Sequence, residues 1–163
     1  MTACIKLVNS ACIGQRRISM KIADWLERYN ITWVTVERDA SLEEAARAML
    51  GEPECRDLYV TDAEKRVVGH LRFRQLAEVL LHRSTYSRRQ LIERVAPGPV
   101  SEYMDQYFIS AQVDEQVQDV LYKNMERWVE DIPVLDGDNR LVGIIRLIDL
   151  VRAAIEPSAQ NFG

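Results

Sequence analysis

Apolar positions along the chain follow two rhythms, one of period near 3.6 and one continuous or alternating, and both rhythms recur in the same order twice. Leu42, Ala45, Ala46, Met49 and Leu50 keep helical spacing on one face. Ser41 and Glu44 frame their start as a capping box, in which the Ser oxygen accepts from the third helical N–H and the Glu reaches back. Gly51 and Pro53 predict the end of this helix. Leu58-Tyr59-Val60 and Val67-Val68-Gly69-His70-Leu71 predict two strands joined by a polar turn over 61–66. Phe73, Leu76, Val79 and Leu80 then predict a second amphipathic helix. Further along, Asp114 is expected to cap a helix carrying Val117, Val120, Leu121, Met125 and Trp128. Strands Ile132-Pro133-Val134-Leu135 and Leu141-Val142-Gly143-Ile144-Ile145 follow, around an Asp136-Gly137 turn. A last helix carries Leu147, Leu150, Val151, Ala154 and Ile155.

The two sets superimpose as a sequence repeat. Residues 39–76 align with 114–150 at an offset of 75, falling to 74 after one gap. Identities include Asp39/Asp114, Val60/Val134, Asp62/Asp136, Arg66/Arg140, Gly69/Gly143, Arg72/Arg146 and Leu76/Leu150. Each set has an upstream piece, Ile22-Ala23-Asp24-Trp25-Leu26 or Val100-Ser101-Glu102-Tyr103-Met104, leading to a β-like run at Trp33–Val36 or Phe108–Ala111. The expected order in each unit is short helix, strand, helix, strand, strand, helix. One such unit has a thin core, so two packed together are the sensible minimum. The expected division is an N-terminal extension at 1–20, a first unit at 21–82, a basic linker at 83–99, a second unit at 100–156 and a tail at 157–163.

Composition narrows the function. The 163 residues carry 21 Lys and Arg against 25 Asp and Glu, a mild negative balance that argues against a nucleic-acid-coating protein. No apolar run nears the roughly 20 residues that span a bilayer, and the N-terminus does not read as a signal peptide, so a cytoplasmic location is expected. His70 and His82 are too few for a histidine metal site. Cys4, Cys12 and Cys55 are odd in number and widely spaced, as expected of reduced thiols. No nucleophile elbow, P-loop, zincin or dinucleotide motif is present, so no enzyme is expected. Trp25, Trp33 and Trp128 are expected in the core or at a dimer interface.

Asp131-Ile132-Pro133-Val134-Leu135-Asp136, then Arg140 to Ile145, then Asp149-Leu150 resemble the CBS (cystathionine-β-synthase) domain. The first unit carries the looser match through Leu58 to Asp62 and Arg66 to Leu71. The resemblance implies an α/β (α+β) fold in which two β-α-β-β-α units pack as a pseudo-twofold pair, here a stand-alone pair. It further implies a regulatory module with two clefts between the units that takes an adenosine-containing ligand, AMP, ADP, ATP or S-adenosylmethionine, with no cofactor required. A homodimer through the helices and an unnamed regulated protein are the implied partners; membrane and nucleic acid are not.

The family's nucleotide signature is Gly, two residues, Ser or Thr, two residues, Asp. Here it reads Gly143 to Asp149 with Arg146 in place of the hydroxyl, and Gly69 to Gln75 with Arg72 in that place and Gln75 in place of the Asp. By that likeness Asp149, and more weakly Gln75, would accept from ribose hydroxyls. Arg72 and Arg146, cations at helix starts, would clamp phosphate, or instead pair with a nearby carboxylate or face solvent. Ile132 and Pro133 would line an adenine slot, or be ordinary buried strand. Ile109 and Ser110 would form a second wall. His70, beside Gly69, is structural or senses pH or an anion. The alternatives to a ligand sensor are an interaction module with ligand-free clefts, and nucleic-acid binding through the arginine-rich linker around His82–Arg89.

Overall fold

Ser41 begins the first long helix as expected: its hydroxyl accepts from the Glu44 N–H at 3.2 Å while the Glu44 carboxylate accepts from the Ser41 N–H at 2.7 Å. These bonds also hold the exposed Glu44 carboxyl below its ordinary range. In the computed structural model, residues 20–29, 31–52, 54–82, 98–125, 127 and 129–155 are described. The linker apart from Gly98 and Pro99, the tail, residues 1–19, and with them Cys4, Cys12 and Trp128, lie outside the described residues.

The chain runs α1 (Ile22–Arg28), β1 (Val34–Glu37), α2 (Leu42–Gly51), β2 (Asp57–Thr61), β3 (Val67–Arg72) and α3 (Phe73–His82). A 3-10 turn (Val100–Glu102) follows, then β4 (Ala111–Gln112), α4 (Val117–Asn124), β5 (Asp131–Leu135), β6 (Leu141–Arg146) and α5 (Leu147–Ile155). The fold is α+β, with two three-stranded sheets ordered β1-β2-β3 and β4-β5-β6. In each the first strand is parallel to the central one and the hairpin partner antiparallel. Val60/Thr61 and Val134/Leu135 carry the same register shift, one repeat apart. Both central strands are buried along their whole length, which explains their continuous apolar runs.

The hairpins repeat to the atom. Asp62 Oδ1 accepts from the Glu64 and Arg66 N–H groups, and Asp136 Oδ1 from those of Asp138 and Arg140. The left-handed position of each turn falls on Lys65 (φ 64°) and Asn139 (φ 62°). The expected turn around Asp136-Gly137 joins the strands: Asp136 supplies the side-chain bonds, and Asn139 takes the positive φ. Two expectations for α4 change. Gln116 is its N-cap, without a side-chain bond, and Asp114 lies before it. The helix stops at Asn124, whose buried amide exchanges two 2.9 Å bonds with the Val129 backbone, leaving Met125 exposed beyond the end.

The upstream pieces cross over. Ile22 and Trp25 of α1, both with no exposed surface, pack with Val117, Ile132, Ile145 and Leu150 of the second unit. Val100, Tyr103 and Met104 pack with Leu42, Leu58 and Leu71 of the first. Backbone bonds repeat the exchange: Ile22 and Ala23 donate to Glu115 and Val113, while Val100 and Ser101 donate to Ala40 and Arg38. Gly69 and Gly143 allow it. A Cβ on Gly143 would lie 2.4 Å from Leu26 of α1, and one on Gly69 2.7 Å from Met104 Sδ and 2.9 Å from the Asp105 carbonyl. A third apolar cluster, with Tyr59 and Val67 from one unit and Leu135 and Ile144 from the other, seals the interface.

Candidate functional site

Each hairpin ends where its outer strand runs directly into a helix, β3 into α3 at Arg72-Phe73 and β6 into α5 at Arg146-Leu147. Across the sheets these arginines stand opposite Asp57 and Asp131, the first residues of β2 and β5. The central strands meet near the pseudo-dyad, where the buried Tyr59 hydroxyl donates to the Asp131 carbonyl at 3.4 Å. A cavity adjoins each junction. The first, about 300 Å³, lies between Arg72, Phe73 and Arg74 on one side and Arg127, Val129 and Glu130 on the other, with Arg56 and Asp57 completing it. The second, about 600 Å³, lies between Arg146, Ile148 and Arg152 on one side and Glu54 and Arg56 on the other, with Glu130 and Asp131 completing it. The repeat converts one into the other: Arg72 becomes Arg146, Phe73 becomes Leu147, Asp57 becomes Asp131, and Arg56 and Glu130 exchange places.

The clefts differ in how their arginines are engaged. Asp149, only 1% exposed, accepts from Arg146 Nε at 2.6 Å and from Arg152 at 2.9 Å. Arg146 also bonds Glu54 at 2.9 Å. The Asp149 bond first, and Glu54 with it, hold the Arg146 guanidinium above its already high range. In the first cleft Gln75 spends its carbonyl on the Arg72 backbone N–H, 2.9 Å away, as a helix cap. The Arg72 and Arg56 guanidinium groups form no ion pair among the described residues.

The other expected site residues are spread more widely. Ile132 is fully buried in the second core and Pro133 is buried beside it in β5, and neither is among the residues lining the two junction cavities. Ile109 packs against the same core, and Ser110 is half-buried next to it. His70 is buried in β3, exchanges backbone bonds with Asp105 and meets Phe108 edge-on at 5.9 Å. Its Nδ1 has no hydrogen-bond partner among the described residues, and burial, with Arg72, lowers its pKa. Among the described residues no group of three or more His, Cys, Asp or Glu is placed to hold a metal ion, and no helix is long and apolar enough to cross a membrane.

Sequence reasoning missed Asp57 and Asp131, although the repeat offset lays one over the other and an acid opening an otherwise apolar strand is a visible anomaly. Both are 7% exposed. Burial first, and Asp131 and Glu130 after it, push the Asp57 carboxyl up to about 7, with Arg72 opposing. Burial likewise raises Asp131, against its weak bond from the Arg56 N–H. Cys55, also missed as a neighbour, adjoins a smaller cavity of about 130 Å³ that shares Glu54 and Arg146 with the second cleft, and burial pushes its thiol up.

Among known proteins, the chain is 27% identical over 128 residues to an uncharacterized 17.7 kDa protein of Acidianus ambivalens, covering 78% of this chain and 71% of that one. It is similar in fold to a CBS domain-containing protein of Thermotoga maritima, with a TM-score of 0.67, 22% identity, and 84% and 95% of the two chains covered. It is similar also to the CBS domain pair of the protein MJ0100, solved with 5-methylthioadenosine and S-adenosyl-L-methionine, with a TM-score of 0.63, 22% identity, and 82% and 94% covered. The family model described as CBS domain matches residues 30–82 and 100–156, the two halves of the repeat. With both halves matched and folded alike, the chain belongs to the CBS domain family.

Proposed function

We propose that this protein is a regulatory module without a reaction of its own, which takes an adenosine-containing ligand in a cleft between its units and modulates a partner protein. The observation that carries this is the pair of mirror-related cavities at the strand-to-helix junctions, each lined by both units, so that a ligand there touches both. A ligand that contacts two packed bodies favours one arrangement over another, and that difference is what a partner reads. The adenosine compounds named with the MJ0100 pair support the ligand class. Exposed apolar residues on the junction helices, Leu81 on α3 and Ile148 and Val151 on α5, supply a surface for self-association.

A thermal-shift series with AMP, ADP, ATP, S-adenosylmethionine and 5-methylthioadenosine tests the ligand. A native-state ligand at 100 times its Kd adds about 2.7 kcal/mol of stability, so at least one compound is expected to raise Tm by several degrees. No rise with any of them overturns the ligand reading. An interaction module with ligand-free clefts is the second reading. It is favoured by Arg146 and Asp149 already satisfying each other in the second cleft.

A further inference from the structure

The two clefts share a plan but not a charge. Arg56, Arg72, Arg74 and Arg127 line the first against Asp57 and Glu130. Arg56, Arg146 and Arg152 line the second against Glu54, Glu130 and Asp131. Two of the second cleft's arginines are bound to Asp149 and Glu54. In the first cleft, among the described residues, only Arg74 is committed to a carboxylate, Glu78 on its own helix. Arg127 makes a long 3.5 Å contact to the Tyr107 carbonyl, and Arg56 and Arg72 form no ion pair among the described residues. Among the described residues an anion therefore finds Arg56, Arg72 and Arg127 without an ion pair in the first cleft, and in the second only Arg56, which the two clefts share.

We propose that the first cleft binds an anionic group, such as a phosphate chain, and that binding takes up a proton at Asp57, so that its occupancy falls as pH rises above neutrality. This rests on the cleft-binding reading above. Asp57 lines the cavity, is almost wholly buried, and shares its surroundings with every charged group that decides its state. Arg72 stands opposite it across the β2–β3 ladder, with Arg74 the second residue of α3 and Arg56 just before Asp57 in the chain. Asp131, Glu130 and Arg127 approach from the second unit, and the Tyr59 phenol follows on its own strand. Arg72 favours the carboxylate, whereas burial, Asp131 and Glu130 favour the acid, and the acid persists to about pH 7. A bound anion draws on Arg72 and adds negative charge beside Asp57. Both changes favour the protonated acid, which itself donates a hydrogen bond that a carboxylate cannot.

Calorimetry on the full chain tests this, with ATP and inorganic pyrophosphate as probes at pH 6.5 and 8.5, in two buffers of different ionisation enthalpy. Asp57→Asn is the reference, because the probes' own titration is common to both proteins. Relative to that reference, the parent protein is expected to bind about fivefold more tightly at pH 6.5 than at 8.5, the linkage for a group near 7 that rises by one unit. For a one-unit rise the difference between buffers is expected to report uptake of about 0.2 proton at each of these pH values and about half a proton at pH 7.5. Should Asp57→Asn fail to fold, inorganic sulfate, whose charge is the same at both pH values, gives the proton count on the parent protein without a reference. Arg72→Ala is expected to weaken both probes at least tenfold, and Arg47→Ala, on the exposed face of α2 and outside both clefts, to leave them within twofold. Binding without excess proton uptake, or binding lost with Arg146→Ala rather than Arg72→Ala, overturns this proposal and leaves the cleft reading intact. No binding by either probe, S-adenosylmethionine or 5-methylthioadenosine overturns both.

Discussion

Asp57 sets a stability profile as well as a candidate binding property. In the unfolded chain an aspartate ionises near pH 3.9, whereas in the fold its carboxyl holds its proton to about 7. Below both values the acid is neutral in either state and costs nothing extra. Between them the unfolded chain releases a proton the fold retains, so stability falls as pH rises, and above 7 the loss is complete. Asp57→Asn is therefore expected to match the parent near pH 4 and to exceed it by about 2–4 kcal/mol at pH 8, read from urea midpoints. A gain that is the same at both pH values, or none at pH 8, counts against this. Asp149 contributes through its partners instead. It is as deeply buried but held by two arginines, and Asp149→Ala is expected to lower stability by about 3–5 kcal/mol by leaving Arg146 without its main partner. The contrast explains what sequence alone disclosed. Asp149 lay inside a recognisable signature, whereas Asp57 shows in the sequence only as an acid opening an apolar strand, and the Asp131 and Glu130 that raise it come from the other half of the chain.

Elements separate into those whose cause is local and those whose cause is not. The Ser41 capping box was legible because every atom it needs lies within four residues, and Ser41→Ala is expected to cost about 1 kcal/mol in chemical denaturation. The end of α4 was not legible, because Asn124 stops it by closing on Val129, a contact that periodicity does not encode. The glycines of β3 and β6 make the sharper comparison. At Gly143 the obstacle to a methyl is the far end of Leu26, which can turn aside. At Gly69 it includes the Asp105 carbonyl, which His70 holds in place. Gly143→Ala is expected to cost about 1–2 kcal/mol and to be largely relieved by Leu26→Ala. Gly69→Ala is expected to cost more and to be little relieved by Met104→Ala. A double-mutant cycle at each site decides it, and equal coupling at both would contradict the assigned obstacles.

For the molecule as a whole, the repeat announced that there are two similar halves but not which upstream piece serves which. A seven-residue amphipathic segment such as α1 fits either core by pattern, and only packing assigns it. The exchange makes the two halves mutually dependent. Trp25→Ala, though in the first half of the sequence, is expected to cost about 3–5 kcal/mol by hollowing the second core. Proteolysis of that variant is expected to cut first within residues 111–153 rather than 34–80, and preferential cutting within 34–80 would refute the assignment.

The crossed segments also bear on how the chain is made. A ribosome adding about 5–20 residues each second delivers α1 several seconds before the strands and helices that receive it. Through that interval the apolar face of Ile22 and Trp25 waits without its permanent neighbours, so it is a natural landing place for a chaperone. The later half, by contrast, emerges beside a ready companion: Val100, Tyr103 and Met104 complete the first core before residues 111–153 arrive to close the second around α1.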